Sequence, residues 1–337
     1  MYIVKKTTNF NEIESDYLKL YSEGIGQHFF QNISVHKAAD NIYYKYRWKS
    51  KIIYYIVYKD SEAIMLFPFR SETSDTLIIM GGREKFDYCD AIVGINETLI
   101  IQEGLKALFS YLLKEGIRYL HLCYIDPKSI LYSILKDNYE FENEEFFDNV
   151  SINIKYDSFD EYYHTLSKHT RQNLRTALNR IEKNGHCIKH SLYYGDKDSE
   201  IMKKIAPEYF NLYLDRQKKK YSDNPMKHVL YLSLFDYLKN SFSGVDCIFS
   251  EIRIDDKLAA CLQGGIDSSG KRFEIPRLAI NDEFNSFSPG MLLVEKTIEK
   301  MISHKEIEIF DLCRGNEGYK TKMGGCLYNT SSFYVKF

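Results

Sequence analysis

The chain has 337 residues, of which 44% are hydrophobic and 27% are charged. This length exceeds the roughly 100–200 residues of one typical domain, and the composition excludes a disordered chain. Lys and Arg number 45 against 47 Asp and Glu, which leaves a net charge of −2. A near-neutral chain has no overall attraction for a nucleic-acid backbone, so we expect no DNA partner and only local anion sites.

The N-terminal sequence and the cysteines predict the compartment. The first residues lack the apolar run of a signal peptide, and no later run approaches the roughly 18 apolar residues of a membrane span. The seven cysteines are widely spaced and never form C-x-x-C, which indicates reduced thiols rather than disulfides or structural zinc. We therefore predict a cytoplasmic protein without a membrane span or a metal site.

Hydrophobic periodicity in the first half predicts three strands, then a long helix, a strand, a helix with Pro127 in its first turn, and final strands. The predicted ranges are 52–58, 63–69 and 76–80 for the strands, 97–115 for the helix, 119–125 for the next strand, and 141–154 for the last strands. The order is therefore β-β-β-α-β-α-β.

The second half repeats this order. Its predicted strands are 245–254, 258–266, 272–280 and 307–313, with a short helix at 316–323 and terminal strands after it. A long helix with an apolar stripe at Met291, Val294, Ile298 and Met301 lies between the third and fourth of these strands. Duplication of one α/β unit accounts for the repeated order.

A helical insert of about 158–241 separates the repeats. Ser158-x-x-Glu161 is a capping box that opens a helix ending before Gly185, and further helices are expected at 198–218 and 226–240. We predict a domain boundary near Ser151, which divides the chain into domains 1–150 and 151–337.

Four segments resemble one family in their order and spacing. They are Asp87-Tyr-Cys-Asp90, Thr165-Leu-Ser-Lys-His-Thr-Arg171-Gln-Asn-Leu-Arg175, Phe287-Ser-Pro-Gly-Met-Leu-Leu293, and Asp311-Leu-Cys-Arg-Gly-Asn-Glu-Gly-Tyr-Lys320. Together they look like the CelD-like and FemAB-like branch of the GNAT acyltransferases. The resemblance implies an α/β (α+β) fold of two tandem GNAT-like domains, each a mixed central sheet flanked by helices. It also implies acyl transfer, with an acyl-CoA such as acetyl-CoA as co-substrate and no permanently bound cofactor.

The turn before the second long helix is the predicted donor site. A turn that feeds directly into a helix presents backbone N–H groups and the positive end of the helix dipole, which favour a phosphate. The residues expected to bind the donor there are Phe287, Ser288, Pro289, Gly290 and Met291. They replace the common GNAT signature Gln/Arg-x-x-Gly-x-Gly/Ala, which is absent.

Acyl transfer needs a base for the acceptor and a proton for the departing thiolate. Asp311 is the predicted base or substrate orienter, Glu274 is the alternative base, and Tyr319 is the predicted proton donor. Arg314 and Lys320 are expected to bind an anionic part of the donor or the acceptor.

The predicted acceptor-binding residues are Arg171, Arg175, Arg277, Tyr88 and Asp90. The first two belong to a basic helical stripe that begins at Lys168. Arg277 is an odd number of residues from Glu274, so the two side chains share a strand face only if Pro276 introduces a bulge.

Three functions remain open from the sequence. The first is acyl transfer from acyl-CoA to an amine or hydroxyl of a sugar, polysaccharide precursor or envelope metabolite, with the chemistry in the second domain and the first as a non-catalytic cleft wall. The second is FemAB-type transfer from aminoacyl-tRNA to a peptidoglycan precursor, the one case with a tRNA partner. The third is a GNAT relative that only binds a ligand.

Overall fold

The protein is described by a computed structural model that covers residues 1–24, 27–42, 51–82, 86–220 and 246–337. It divides into two units, one formed by Met1–Asp148 with Asn329–Phe337 and the other by Asn149–Tyr328. The helix predicted at 226–240, and with it the end of the predicted insert, lies outside the described residues.

The first unit is a mixed sheet with helices. Its elements are β1 (Tyr2–Thr7), α1 (Glu14–Glu23), α2 (Ile33–Ile42), β2 (Ile53–Lys59), β3 (Glu62–Ser71), β4 (Thr76–Ile79), β5 (Ile92–Val93), α3 (Thr98–Lys114), β6 (Tyr119–Ile125) and α4 (Ile130–Asn138). Strands β1 to β4 pair antiparallel in sequence order, β5 pairs with β3, and β4 pairs parallel with β6.

The second unit has the same build with additional helices. Two strands, β7 (Glu140–Asn153) and β13 (Cys326–Lys336), are divided between the two units, with Asn149–Asn153 and Cys326–Tyr328 in the second. The other elements of the second unit are α5 (Phe159–Thr165), α6 (Lys168–Lys183), β8 (Ile188–Tyr194), α7 (Ser199–Lys220), β9 (Cys247–Ile254), β10 (Lys257–Ile266), β11 (Arg272–Ile280), α8 (Pro289–His304), β12 (Ile309–Arg314) and α9 (Gly318–Lys322). Strands β8 to β11 pair antiparallel, β11 pairs parallel with β12, and β12 pairs antiparallel with β7.

The predicted repeat is confirmed, because both units show three strands, a long helix, a strand, a short helix and a last strand. The core of the second unit shows why hydrophobic periodicity predicted its strands and its long helix. Leu293 and Ile298 of α8 are fully buried, and Phe273 and Phe310 of the sheet belong to the same core cluster. The seven cysteines are free thiols.

The last strand of each repeat departs from the predicted boundary. The sequence predicted one break near Ser151, whereas the residues from Asn329 onward belong to the first unit. The reason is strand pairing: Ser331–Lys336 of β13 pair with β6, and Ser151–Asn153 of β7 pair with β12. The end of the final strand of each repeat therefore pairs within the other unit: Ser151–Asn153 in the second and Ser331–Lys336 in the first.

Several local elements also differ from the prediction. The helix expected from Ser158 is broken, because the Ser167 hydroxyl accepts a hydrogen bond from the Thr170 N–H and starts a new helix. In the first unit Ser129, rather than Pro127, begins α4. Strand β8 was not predicted, since its residues are only partly buried and give no clear alternation. The elements before residue 52 were not predicted either.

Candidate functional site

A β-bulge in the second unit brings two predicted site residues to one face. Gly265 pairs with Glu274 and Gln263 pairs with Arg277, so two steps along β10 correspond to three along β11. The extra residue lies in the segment that contains Pro276, as expected if proline interrupts the strand. The sequence predicted that Glu274 and Arg277 share a face only if Pro276 introduces a bulge, and that bulge is present.

The burial pattern along β11 shows that the bulge changes which side chains face the core. Phe273 and Ile275 point into the core beneath α8, and further along β11 Leu278 and Ile280 pack against that same core. The alternation has slipped by one residue between them, which places Glu274 and Arg277 together on the opposite face.

A glycine is required where this bulge forms. A Cβ atom built at Gly264 would lie 1.9 Å from the carbonyl oxygen of Glu274. A backbone oxygen cannot move aside as a flexible side chain can, so no other residue fits at Gly264 without displacing β11.

The parallel strands β11 and β12 are joined over a short distance. They pair from Arg272 with Ile309 to Glu274 with Asp311, and no further pair connects them within residues 246–337. The carboxyl ends of parallel strands are where ligands collect in open α/β sheets. Glu274, Arg277 and Asp311 therefore lie near the ends of parallel strands, where ligands collect in sheets of this kind.

Asp311 is held by three hydrogen bonds. Its side chain is 0% exposed, and its Oδ2 atom accepts from the Arg272 guanidinium and the Tyr328 hydroxyl, each at 2.6 Å. Its Oδ1 atom accepts from the Cys313 N–H at 2.8 Å. Burial, followed by the negative charge of Asp311, raises the pKa of Tyr328 well above its usual value. Arg272 and Tyr328 were missed in the sequence, where tyrosine is too frequent to stand out.

Arg277 is also buried, with 4% of its surface exposed, and it donates to the Gln263 carboxamide oxygen at 3.1 Å. The Gln263 Nε2 atom has no hydrogen-bond partner among the described residues. A buried donor without a partner costs about 1–3 kcal/mol. Glu274 is 0% exposed on the same face. Polar groups thus line this side of the sheet.

The turn before α8 has an unusual backbone. A 3-10 helix, Asp282–Phe287, leads to Ser288, whose φ of 50° is left-handed, and Pro289 is the first residue of α8. The Ser288 side chain makes no capping hydrogen bond. Gly290 has a packing explanation, because a Cβ atom there would lie 2.6 Å from the Ile280 side chain of β11.

A cavity of about 130 Å³ lies against this turn. Its lining comes from α6 and from the start of α8, and consists of Asn173, Leu174, Thr176, Ala177, Arg180, Ser288 and Met291. Arg180 is anchored beside the turn by a hydrogen bond to the Ser286 carbonyl at 3.2 Å. His186 packs edge-on against Phe287, with ring centroids 5.5 Å apart. Asn173 and Arg180 were missed, although Arg180 lies on the helix that carries the predicted basic stripe.

Lys320 has a role in the chain itself. It is 3% exposed, and its ammonium donates to the carbonyls of Cys313, Arg314 and Gly315 at 2.9 to 3.3 Å and pairs with Glu317 at 3.0 Å. These contacts close the turn after β12, so the burial of this cation is explained without a ligand.

Tyr319 lies beside Lys320 on α9 and is partly buried against the core of the second unit. Burial, followed by the charge of Glu317, raises the pKa of Tyr319 well above its usual value. The phenol is therefore protonated at neutral pH, as a proton donor must be.

The predicted arginines of α6 contact the backbone. Arg171 donates to the carbonyls of His164 and Leu166 at the end of α5, and Arg175 donates to the Arg171 carbonyl at 3.4 Å. Arg171 thereby satisfies carbonyls that the end of a helix leaves open. Arg175 is exposed.

Tyr88 and Asp90 lie inside the first unit. Tyr88 is 0% exposed and stacks on His28 with ring centroids 3.9 Å apart. Asp90 is 8% exposed and accepts from the Ala91 N–H at 2.8 Å. Burial raises the pKa of Asp90 to about 6. Neither side chain is presented on the surface as an acceptor contact would require.

Comparison with known proteins identifies the fold. Residues 168–321 match the family described as acetyltransferase (GNAT) domain. Across nearly the whole chain the structure is similar to FemX, with a TM-score of 0.63 and 9% identity, covering 98% of this chain and 97% of that one. L-PGS from Bacillus licheniformis is also similar, with a TM-score of 0.54 and 11% identity over 98% and 92% of the two chains. A comparison with curated proteins found no match.

These findings define a protein with the tandem GNAT fold of the FemAB-like branch. The segment that matches the acetyltransferase (GNAT) domain family, residues 168–321, lies in the second unit. Among the described residues, no helix combines the length and apolar character needed to cross a bilayer.

Proposed function

We propose that the chain transfers an acyl group, in the first place acetyl, from acyl-CoA to an amine or hydroxyl of a sugar, polysaccharide precursor or envelope metabolite. The observation that carries the proposal is the cavity at the start of α8, lined by Ser288, Met291 and Arg180. A helix N-terminus and a nearby guanidinium both favour a phosphate group, such as those of CoA. The acceptor class follows the family resemblance.

The two halves of the site fit this reaction. The donor turn follows β11 after the 3-10 helix Asp282–Phe287, and β11 carries Glu274 and Arg277 on the polar face of the sheet. Tyr319 supplies a protonated phenol for the departing thiolate. Arg277, on that face, is held in place by its hydrogen bond to the buried Gln263.

Calorimetry with acetyl-CoA and longer acyl-CoA thioesters tests the donor site. Arg180→Gln is expected to weaken binding about tenfold, since one charged contact to a phosphate contributes roughly 1–2 kcal/mol. Lys183→Gln on the same helix is the matched control, because Lys183 does not line the cavity. Gly290 is a poor probe, since a side chain there would strike Ile280. Absence of binding across the whole series removes the proposal.

A second candidate, transfer from aminoacyl-tRNA to a peptidoglycan precursor, has one observation in its favour. Lys168, Arg175 and Lys183 are exposed along α6, and none has an ion-pair partner among the residues the structure describes. Such a surface suits a phosphate backbone. Binding of aminoacyl-tRNA that weakens steeply with salt, together with no response to acyl-CoA, would favour this candidate over the first.

A further inference from the structure

The burial of Asp311 conflicts with a direct role as base. A general base must come within hydrogen-bond reach of the proton it removes, or act through one intervening group. Asp311 is 0% exposed, and both of its carboxylate oxygens already accept hydrogen bonds from the chain. An acceptor molecule therefore has no open path to this carboxylate.

Tyr328 is the tyrosine in contact with the buried Asp311. It is partly exposed, and its hydroxyl donates to the Asp311 Oδ2 atom at 2.6 Å. The Arg272 guanidinium donates to the same carboxylate oxygen at 2.6 Å and lies 3.5 Å from the Tyr328 hydroxyl. Arg272 thereby fixes the carboxylate in the orientation that meets the phenol.

The position of this group matches the reaction. Asp311 is the last residue of β12 to pair with β11, and its partner is Glu274. Phe310 and Leu312 point into the core, so Asp311 points to the same polar face as Glu274 and Arg277. The phenol of Tyr328 therefore contacts a carboxylate that lies on the same face of the sheet as Glu274 and Arg277.

We propose that Tyr328 takes the proton from the acceptor and that Asp311 is a positioning residue that acts through it. The inference rests on the acyl transfer proposed above. The acceptor nitrogen or oxygen attacks the thioester carbonyl carbon, a new C–N or C–O bond forms, and the C–S bond breaks with its electron pair on sulfur. The acceptor proton moves to the Tyr328 oxygen while the phenol proton moves to Asp311 Oδ2. The thiolate takes a proton from solvent through Tyr319. The Tyr328 hydroxyl then releases one proton to solvent and recovers its original proton from Asp311, which restores both groups.

The chain contains a matched control for this arrangement. In the same unit, the Tyr193 hydroxyl donates to Glu251 Oε1 at 3.3 Å, and Arg253 donates to the same carboxylate at 3.0 Å. This is also a tyrosine, carboxylate and arginine cluster, but it lies on β8 and β9, away from the ends of the parallel strands. Tyr193→Phe removes one hydroxyl from equivalent surroundings.

The test measures acyl transfer and its proton inventory in mixtures of light and heavy water. Tyr328→Phe is expected to lower kcat about 100-fold with little change in the donor KM, and Tyr193→Phe to leave both unchanged. Two protons move in the relay, so the wild-type inventory should be curved and that of Tyr328→Phe linear. A structural tyrosine would not alter this curvature.

Asp311→Asn adds a second measurement. If Asp311 acts through Tyr328, the double variant should lose no more activity than either single variant. If Asp311→Asn does not fold, the inventory of Tyr328→Phe decides alone. Wild-type kcat and curvature in Tyr328→Phe would overturn the inference and leave the proposed function standing. A wild-type protein that transfers no acyl group to any acceptor would overturn both.

Discussion

The two units share an element order but differ where the third strand of the repeat meets the long helix. In the second unit, β11 leads through the left-handed Ser288 into α8, with a cavity beside the turn. In the first unit, α3 starts after Glu97, whose carboxylate accepts a hydrogen bond from the Asn96 N–H. A carboxylate at that helix end already supplies the negative charge that the dipole favours. Only the second turn is suited to an external anion.

The parallel strand pairs of the two units, β4 with β6 and β11 with β12, also end in different polar residues. In the first unit the parallel pairing ends at Ile78 with His121, and His121 bonds to Glu72 at 2.9 Å. In the second unit it ends at Glu274 with Asp311, and Asp311 pairs with Arg272. One topology thus carries two unrelated sets of polar groups. The two units therefore share an element order, while the polar groups at the ends of their parallel strands differ.

The largest effect should come from the bulge, which distinguishes the two units. Strands β3 and β4 pair without a register shift, whereas β10 and β11 need one beside Gly264. Gly264→Ala is expected to lower the free energy of unfolding by about 3 kcal/mol or more, because the added Cβ meets a backbone oxygen. Gly318→Ala, where a Cβ meets nothing within 4 Å, is the control in denaturant titrations. Equal stability of the two variants would mean that the bulge is not constrained by glycine.

The second largest difference in stability should come from the turns that follow β12 in the second unit and β6 in the first. Lys320→Met removes a cation that serves three carbonyls, and we expect a loss of about 2–3 kcal/mol of unfolding free energy. In the first unit, Ser129→Ala removes only a helix cap, the bond from the Tyr132 N–H, and should cost about 1 kcal/mol. Lys322→Met on the exposed side of α9 is the control for Lys320. A loss no greater than that of Lys322→Met would contradict the structural role of Lys320.

The smallest effect concerns one buried carboxyl in each unit. Burial raises the pKa of Glu295 from 4.5 to about 7, and that of Asp90 from 3.8 to about 6. Between the ordinary and the raised pKa the folded state keeps a proton that the unfolded chain has lost, so stability falls as pH rises through this window. Relative to wild type, Glu295→Gln should therefore gain about 2 kcal/mol between pH 5 and 8, and Asp90→Asn about 1 kcal/mol.

Thermal or denaturant unfolding at several pH values measures this difference. Glu295 Oε2 has no hydrogen-bond partner among the described residues, whereas Asp90 accepts from the Ala91 N–H, a hydrogen bond that lowers the pKa of Asp90 against the effect of burial. Glu182→Gln, an exposed change on α6, should show no such trend. Identical pH dependence in Glu295→Gln and wild type would refute the raised pKa.

The sequence contained enough information for the repeat and for the position of the site. Strand alternation and helix stripes depend on burial of neighbouring residues, so β6 and β11 were predicted with the ends they have in the structure. The possible bulge at Pro276 was also readable, because proline disrupts a strand wherever it stands. These features are local, and local periodicity is what one sequence records.

Contacts between distant segments were decided by the tertiary structure alone. The pairing of β13 with β6, the Asp311–Tyr328 hydrogen bond and the enclosure of Lys320 join residues whose separation follows no period. Residue type predicted a free cation at Lys320 and a reactive carboxylate at Asp311, but burial and hydrogen bonding set the role of each. The sequence by itself determined the repeated order of strands and helices, because that order depends on local hydrophobic periodicity. Only the folded chain determined which polar groups remain available to a ligand, because availability depends on neighbours that the sequence does not place.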